Sequence, residues 1–494
     1  MFEKLTQING FDTTDPNNAM QNNYAWSMAE LGDYIYVGTG RNVPITALEL
    51  LDNPVEIPEI LRPPGEIDMR AEIWRYKKNG TEDWERVYKS DQPPIQGFRS
   101  MIQYTHSTDE TALYAVGTAI GGELIILKST NGTDWIELPT GIAERASSRS
   151  MVVFNDKLYM GIVRDEFTPG DKPTLLYVST DPENEGWEFV DLGEATTDNP
   201  RGPIFDMIVF NDQLYLATSP PAGFEIWRTE VGEVAPDQWK LVVDKGGGDA
   251  LNQFIFDSTV FQDYLYLGTA QIPFVSTDPS RPFTPPKGFD LIRIDAQDEW
   301  ELVIGGEPVI PTEPVTGERR EAISEYPSGF GNLSNAYAWQ LESQGAQLFL
   351  GTFDWTVIVA QFLQEAQRLL PFELDNYLPV LLNWGEYLFD SSPIFSLIPV
   401  KDIVQLFAGS LPDLIQDNYG FDLWSTRDGL DWSLLTRNGL GNPYNYGARS
   451  LFSSSEDDLY LGTANPFQGL EVWVRSKNTA DLLEGLGAFN SDLS

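Results

Sequence analysis

The sequence has 494 residues, 41% hydrophobic and 21% charged, a composition typical of a folded protein rather than a disordered one. Its 32 Lys and Arg against 74 Asp and Glu give a net charge of −42, which argues against nucleic acid or an anionic membrane surface as a partner. Because the chain has no cysteine, disulfides, thiol catalysis and Cys–metal sites are excluded.

The acidic excess has two interpretations, solubility in a salty or crowded compartment and calcium binding by some carboxylates. No run of Asp matches a calcium-loop template, which favours solubility. The sequence requires no cofactor, and it leaves a structural Ca²⁺ and the metal content open. The segment MFEKLTQINGF lacks a basic region and an apolar run, and no stretch of ~18 uncharged apolar residues exists. We therefore expect no signal peptide, no membrane span and a cytoplasmic protein.

Seven short segments along the chain share one pattern, an aromatic or Leu-Tyr pair followed by small residues. They are 34–39, 113–118, 158–161, 214–218, 265–269, 348–352 and 459–463. Such apolar runs bounded by turn residues indicate strands buried on both faces. A first strand precedes each segment across a tight turn such as Asn155-Asp156, and a third strand follows it. A fourth strand opens on Trp84, Trp135, Trp187, Trp239, Trp300 or Trp432. Four antiparallel strands repeated radially form a β-propeller blade.

The strand counts differ, because seven units carry the second strand and only six carry the Trp-led fourth strand. Residues 2–10 parallel residues 432–439, so we expect the N-terminal segment to supply the missing strand. The sequence therefore predicts a single all-β domain over 1–494, a seven-bladed β-propeller closed by its N-terminal strand. This closure would remove an open sheet edge.

Long connections fall on one face of the predicted propeller, at 40–70, 271–288 and 353–420. The last is predicted to be a helical insertion in blade six, since apolar residues recur at helical spacing from Val357 to Leu370. Three interpretations stay open: a satellite core capping the blade, a lid over the channel mouth suited to an apolar substrate, and a dimer contact.

Alignment of the first strands places one residue of each blade at an equivalent position near the axis. This axial ring consists of Trp26, Arg99, Arg149, Phe205, Phe256, Trp339 and Arg449. Three arginines among four aromatic residues could bind an anion or an aromatic ring. Alternatively, the arginines could pair with Asp206, Asp257 and neighbouring carboxylates and hold the mouth together.

Several stretches resemble a bacterial β-propeller family that includes the cyanobacterial alkylating enzyme of cylindrocyclophane assembly. The matching stretches are Asn23–Met28, Gly38–Arg41, Gly351–Trp355, Asn442–Gly447 and Gly462–Pro466. The resemblance covers nearly the whole predicted propeller and supports the fold more strongly than the reaction. We find no counterpart of that enzyme's calcium-binding domain in this sequence.

This resemblance implies a Friedel-Crafts-type reaction, in which a secondary alkyl halide alkylates a phenol or resorcinol carbon, or a carboxylate, and halide leaves. Arg41 and Tyr446, or Tyr444, would stabilise the halide, and Asp354 would be the base. The predicted substrate-binding residues for a small apolar or alkyl-aromatic substrate are Trp26, Trp339, Tyr444, Trp355 and Arg449.

Each of the three catalytic candidates also has a structural interpretation. Arg41 would form a loop salt bridge, Asp354 would cap the helix of the insertion, and Tyr446 would be a packed aromatic residue. The alternative functions are a non-catalytic propeller that binds a carbohydrate or small ligand, and a protein-interaction scaffold.

Overall fold

The computed structural model describes residues 1–45, 59–78, 80, 82–91, 94–106, 110–119, 123–142, 146–164, 173–194, 198–272, 285–358, 360 and 420–477. Most of the predicted insertion at 353–420 and much of the connections at 40–70 and 271–288 lie outside these residues. Within them the protein is all-β, with α1 (Pro16–Gln21) and short 3-10 turns at Glu59–Leu61, Lys245–Gly248, Ser328–Gly331 and Gly439–Gly441.

After β1 (Glu3–Lys4), the described strands follow one another in antiparallel groups, here called units and numbered from the N-terminus. Unit 1 is β2 (Asn22–Leu31), β3 (Tyr34–Arg41), β4 (Glu72–Lys77) and β5 (Glu85–Lys89). Unit 2 is β6 (Ile95–Thr105), β7 (Thr111–Ala119), β8 (Ile125–Ser129) and β9 (Ile136–Pro139). Unit 3 is β10 (Ala146–Phe154), β11 (Lys157–Arg164), β12 (Leu175–Ser179) and β13 (Glu188–Phe189).

The second half of the chain continues this order. Unit 4 is β14 (Ile204–Phe210), β15 (Gln213–Thr218), β16 (Glu225–Thr229) and β17 (Trp239–Val243). Unit 5 is β18 (Phe254–Phe261), β19 (Tyr264–Ala270), β20 (Leu291–Ile294) and β21 (Trp300–Ile304). Unit 6 is β22 (Asn335–Gln344), β23 (Gln347–Asp354), β24 (Leu423–Thr426) and β25 (Trp432–Thr436). Unit 7 is β26 (Gly447–Ser453), β27 (Leu459–Ala464) and β28 (Val472–Arg475).

The N-terminal strand supplies the fourth strand of unit 7. β1 pairs antiparallel with β28, with Glu3 opposite Val474 and Lys4 opposite Trp473. The amide of Leu5 then donates to the carbonyl of Val472 at 2.8 Å. The pairing covers the outer edge of β28, as the strand count in the sequence predicts.

The first strands of the units lie side by side in a cyclic order. β2 contacts β6, and contacts continue through β10, β14, β18 and β22 to β26, which returns to β2. The hydrophobic core lies between the faces of adjacent units: Phe98 and Leu127 of unit 2 pack with Tyr36 of unit 1, for example. This arrangement explains why the second strands are apolar on both faces.

An Asn, a Thr and an acidic residue join the first three strands in units 1, 5, 6 and 7. In unit 7, Asn445 donates to the carbonyl of Gly439 and to the Glu471 carboxylate at 2.9 and 2.7 Å. The amide of Glu471 donates to Thr463 at 2.8 Å. The corresponding residues are Asn22, Thr39 and Glu72; Asn252, Thr269 and Asp290; and Asn335, Thr352 and Asp422. The Gly-Thr pattern of the sequence thus marks a buried hydrogen-bond acceptor as well as a close backbone approach.

Candidate functional site

Each first strand carries a β-bulge at its axial-ring residue. The register of its pairing with the second strand shifts at all seven positions, for example between Ala25 and Ser27 around Trp26 and between Ala448 and Ser450 around Arg449. A bulge leaves the extra residue unpaired and turns its side chain away from the regular alternation. The bulges therefore interrupt, at these seven residues, the regular alternation that directs the other side chains of the strands into the cores between units.

The axial ring is joined by contacts between arginines and aromatic faces. The guanidinium carbon of Arg99 lies 4.7 Å from the ring centroid of Trp26, and that of Arg449 lies 5.4 Å from Trp339. Arg149 lies over both Phe205 and Phe256, at 5.1 and 4.8 Å. These separations are in the range of cation–π attraction. These contacts link the seven ring residues in three groups, each with one arginine.

Two glycines make room for the two tryptophans. A Cβ atom at Gly97 would lie 2.0 Å from Trp26, and one at Gly447 would lie 2.1 Å from Trp339. Each glycine lies two residues before a ring arginine, Arg99 or Arg449, so the indole of one unit lies on the backbone of the next. The Gly-x-Arg spacing is a signal that sequence reasoning overlooked.

In units 1, 3, 4, 5 and 6 the residue after the ring position forms a hydrogen bond to the next unit. Ser27 donates to the carbonyl of Phe98 at 2.7 Å, and the amides of Leu341 and Leu451 donate to Asp257 and Gln340 at 2.6 and 3.1 Å. Ser258 likewise donates to the carboxylate of Asp206 at 2.5 Å.

The carboxyls of Asp206 and Asp257 lie close together in the interior. Burial raises the pKa of Asp206, and burial together with the charge of Asp206 raises the pKa of Asp257 well above its usual value. Both carboxyls also accept hydrogen bonds between units, Asp206 from Ser258 and Asp257 from the amide of Leu341.

Aromatic residues from units 1, 6 and 7 form a second group, here called the mouth cluster, which shares Trp26 and Trp339 with the axial ring. Its other members are Tyr24, Phe353 and Tyr446. The rings of Trp339 and Tyr446 are stacked at 9° with centroids 6.3 Å apart, and Tyr24 meets both edge-on.

Residues that begin or end the long connections pack on the mouth cluster. Ile45 and Leu61 lie in the 40–70 connection, Val357 lies near the start of the predicted 353–420 insertion, and Phe467 follows β27. The aromatic groups and the long connections therefore meet at the same end of the molecule, as the sequence predicts. Long connections on a rigid scaffold are the usual location of binding residues.

Arg449 is buried without a carboxylate partner. The residue is 8% exposed, and no hydrogen bond or ion pair joins it to any residue that the structure describes. Burial and the charges of Arg149 and Arg99 lower the pKa of Arg449 to about 9. Its guanidinium group therefore stays charged at neutral pH. For this arginine, the predicted pairing with Asp206 or Asp257 is not found.

The three predicted catalytic residues occupy two different environments. Arg41 is 0% exposed and donates to the carbonyl of Asp68 at 2.6 Å and to the side chains of Asn22 and Asn18 at 2.8 and 2.6 Å. A carboxylate oxygen of Glu72 lies 3.8 Å from a guanidinium nitrogen of Arg41. Burial lowers the pKa of Arg41, while Glu72 and Asp68 act in the opposite direction. Its surroundings match the loop salt bridge named as the alternative.

Asp354 and Tyr446 do come together, because the amide of Asp354 donates to the carbonyl of Tyr446 at 2.8 Å. The Asp354 carboxylate is 1% exposed and accepts from the amide of Thr356 at 2.7 Å, from its hydroxyl, and from Ser334 and Asn332. Burial raises the pKa of Asp354, and these donors oppose the rise. No hydrogen bond or ion pair of Arg41 within the described residues reaches Asp354 or Tyr446.

The other predicted substrate-binding residues also lie at this end. Trp355 is buried in the mouth cluster's apolar surroundings, and Tyr444 packs on Phe467 with ring centroids 5.6 Å apart. Tyr24 and Phe353 were overlooked by sequence reasoning, although Tyr24 lies two residues before the ring residue Trp26. Among the described residues, no group of three or more His, Cys, Asp or Glu could hold a metal ion.

A separate cavity of about 780 Å³ lies along residues 305–325. Arg319 in its wall donates to Asp290 at 2.9 Å and to the carbonyl of Gly306 at 2.8 Å. We assign this cavity no function, because Arg319, the one charged lining residue that is not exposed, already has protein partners. No helix among the described residues has the length and apolar character needed to cross a membrane.

Neither a family model nor a curated protein matches the chain. Among solved structures, it is similar to the extracellular domain of a one component system from B. thetaiotaomicron, with a TM-score of 0.45 and 10% identity. That match covers 95% of this chain and 39% of the other, so the chain spans well under half of that protein.

YCF48 bound to D1 peptide gives a TM-score of 0.45 at 11% identity, covering 92% of this chain and 94% of that one. A luciferin-regenerating enzyme gives 0.35 at 9% identity, covering 68% and 86%. Similarities with TM-scores below 0.5 carry no argument about the function of this chain.

Proposed function

We propose that the protein is a seven-bladed β-propeller, closed by its N-terminal strand, that binds a small ligand with an aromatic ring at the mouth of its axial channel. The observation that carries this proposal is the convergence of seven bulged ring residues and the mouth cluster at the end where the long connections lie. Concave sites lined by aromatic groups with a few polar residues are typical of small-molecule binding.

The ring favours an aromatic ligand over a carbohydrate. Arginine guanidinium groups already lie over Trp26, Trp339 and Phe256, so these faces present a mixed aromatic and cationic surface. A flat aromatic ring can stack either on the aromatic side chains or on the guanidinium groups of such a surface. Sugar binding, the alternative expected from the sequence, would need polar groups that direct several hydroxyls.

Alkylation by a secondary alkyl halide, which the family resemblance implies, stays a prediction. It requires Arg41 and Asp354 to reach one substrate, whereas each is buried and hydrogen-bonded to its own surroundings. Binding at the mouth is therefore the function that we place first. Incubation with a secondary alkyl halide and resorcinol, followed by mass spectrometry, would detect the alkylated product.

The binding proposal is tested by calorimetric titration with 2-naphthoate, 2-naphthamide and glucose. We expect at least one aromatic compound to bind, and Trp339→Leu to weaken that binding by about ten-fold or more, because the ring face is lost. Phe189→Leu is the matched control, since Phe189 is 57% exposed on the outer strand β13. Glucose binding with no aromatic binding would overturn the proposal.

A further inference from the structure

The environment of Arg449 differs from that of a paired arginine such as Arg228. Arg228 donates to Asp298 through two nitrogens, at 2.9 and 2.7 Å. Arg449 is 8% exposed and lies over the face of Trp339, and no hydrogen bond or ion pair joins it to another described residue. A guanidinium group offers five N–H donors.

An enclosed charge without an acceptor is costly, and proteins normally pair it or bind a counter-ion. The face of one indole replaces only part of the lost hydration. The donors of Arg449 are therefore available to an acceptor that comes from outside the protein.

Neighbouring charges act on Arg449 in both directions. Arg99 and Arg149 of the same axial ring repel its charge, whereas Tyr24 and Asp257 favour it. Asp257 accepts a hydrogen bond from the amide of Leu341, and within the described residues it forms no ion pair with Arg449. An anion at Arg449 would therefore supply an acceptor that these groups do not supply.

The aromatic groups define the rest of the ligand. Trp339 lies beneath Arg449 and stacks with Tyr446, while Tyr24 closes the side of the group at 6.3 Å from Trp339. A planar carboxylate can accept two parallel N–H bonds from a guanidinium group, and a ring attached to it would lie against these aromatic faces.

We propose that Arg449 is the anchor for an aromatic monoanion, a flat ring bearing one carboxylate. This inference rests on the proposed function and specifies the ligand class of the same site. Arg449 is a binding residue in this role, and no covalent step is involved.

The test compares 2-naphthoate with its uncharged analogue 2-naphthamide by calorimetric titration at low ionic strength. We expect the wild-type protein to bind the amide about ten-fold or more weakly than the carboxylate. Arg449→Met should remove that preference and leave the two compounds equal. Arg437→Met is the matched control, because Arg437 is an exposed arginine that lies 5.9 Å over Trp424, away from the axial ring.

A thermal melt without ligand gives a second measurement. Because Arg449→Met removes an unpaired enclosed charge, we expect its melting temperature in low salt to equal or exceed that of the wild type. Should this variant fail to fold, the comparison of carboxylate and amide on the wild-type protein still decides the inference.

The outcomes separate the two proposals. Equal binding of carboxylate and amide by the wild type would overturn the anion inference and leave ligand binding standing. Binding of neither compound would overturn both. Nitrate that binds as tightly as 2-naphthoate would show that the site takes any small anion, and the aromatic part of the inference would be wrong.

Discussion

Arg41 and Arg449 are both enclosed guanidinium groups, but only Arg41 has a full set of protein acceptors. Its partners Asp68 and Glu72 come from the end of the 40–70 connection and the start of β4, and Asn18 and Asn22 come from α1 and the start of β2. Arg41 therefore fixes the connection to unit 1. This role differs from halide binding, which the family resemblance implies.

The two roles predict different stabilities for Arg41→Met. Loss of one partner leaves the buried Glu72 carboxylate less compensated, so we expect the free energy of unfolding to fall by about 3 kcal/mol. Arg70→Met is the control, because Arg70 pairs with Asp68 at 2.9 Å but its side chain is 39% exposed. That variant should lose about 1 kcal/mol or less. Urea unfolding followed by circular dichroism measures both losses. A loss for Arg41→Met as small as that expected for Arg70→Met would show that the Arg41 network contributes little.

The sequence identified the ring residues because they align by their distance from the tight turns. It could not show the burial of Arg41, since Asp68 and Glu72 lie 27 and 31 positions further along the chain and no local pattern links them. For Asp354 a local signal existed. The spacing Asp354-Trp355-Thr356 resembles the turn after Asn465, whose side-chain oxygen also accepts from the amide two residues on.

Among the elements, the turns between third and fourth strands join units 2 and 6 to the units before them. In these turns, at 129–135 and 425–432, side-chain oxygens accept hydrogen bonds from the turn backbone. At each turn a glycine meets a tyrosine hydroxyl of the preceding unit. The pairs are Gly132 with Tyr36 and Gly429 with Tyr266.

We therefore expect Gly429→Ala to lower the free energy of unfolding more than a glycine-to-alanine change in another turn. Gly429 has φ +77°, and a Cβ atom would lie 1.9 Å from the Tyr266 hydroxyl. We expect a loss of about 2–4 kcal/mol from strain and overpacking. Gly441→Ala is the control, with φ +90° and no atom within 4 Å of a new Cβ, and should lose about 1 kcal/mol.

The double variant Gly429→Ala, Tyr266→Phe separates the two causes. Removal of the hydroxyl relieves the overpacking but not the backbone strain, so the loss should return toward that of Gly441→Ala. Chemical unfolding of the three variants measures the difference. If Tyr266→Phe restored nothing, contact with the preceding unit would not be the cause.

The strands themselves were predictable because apolar runs and two-residue turns are local features. The bulges were not, since an extra residue in one strand is visible only against its partner. The Asn, Thr and acidic residues of units 1, 5, 6 and 7 likewise come from three strands or the residues just before them, and their hydrogen bonds depend on the assembled sheet. The insertion predicted at 353–420 lies mostly outside the described residues and stays a prediction.

At the scale of the whole molecule, two strands from opposite ends of the chain take part in the closure. Units 1 and 7 are in contact through β2, β26 and β27, and the pairing of β1 with β28 adds the last strand. The Lys4 ammonium also meets the Glu471 carboxylate, which is 3% exposed, at 2.8 Å. The N-terminal segment thus contributes both backbone pairing and a charge to unit 7.

A cysteine pair tests this closure directly, because the chain has no cysteine of its own. Glu3 and Val474 are directly opposite in the antiparallel pair, where Cα atoms are about 4.5–5.5 Å apart, within the range for a disulfide. Glu3→Cys, Val474→Cys should oxidise without denaturant and then stabilise the protein by about 4 kcal/mol relative to its reduced form. Non-reducing gel mobility and melting temperatures with and without reductant measure the two effects.

The control pair is Glu3→Cys, Arg475→Cys, because adjacent residues of a strand point to opposite faces and the second cysteine would face away from the first. We expect little crosslinking in this variant under the same conditions. Crosslinking of both pairs to the same extent would mean that the N-terminal segment is not held in a fixed register. Crosslinking of neither would mean that the first strand does not complete the last unit, and the ring that positions Arg449 and Trp339 would lack this closure.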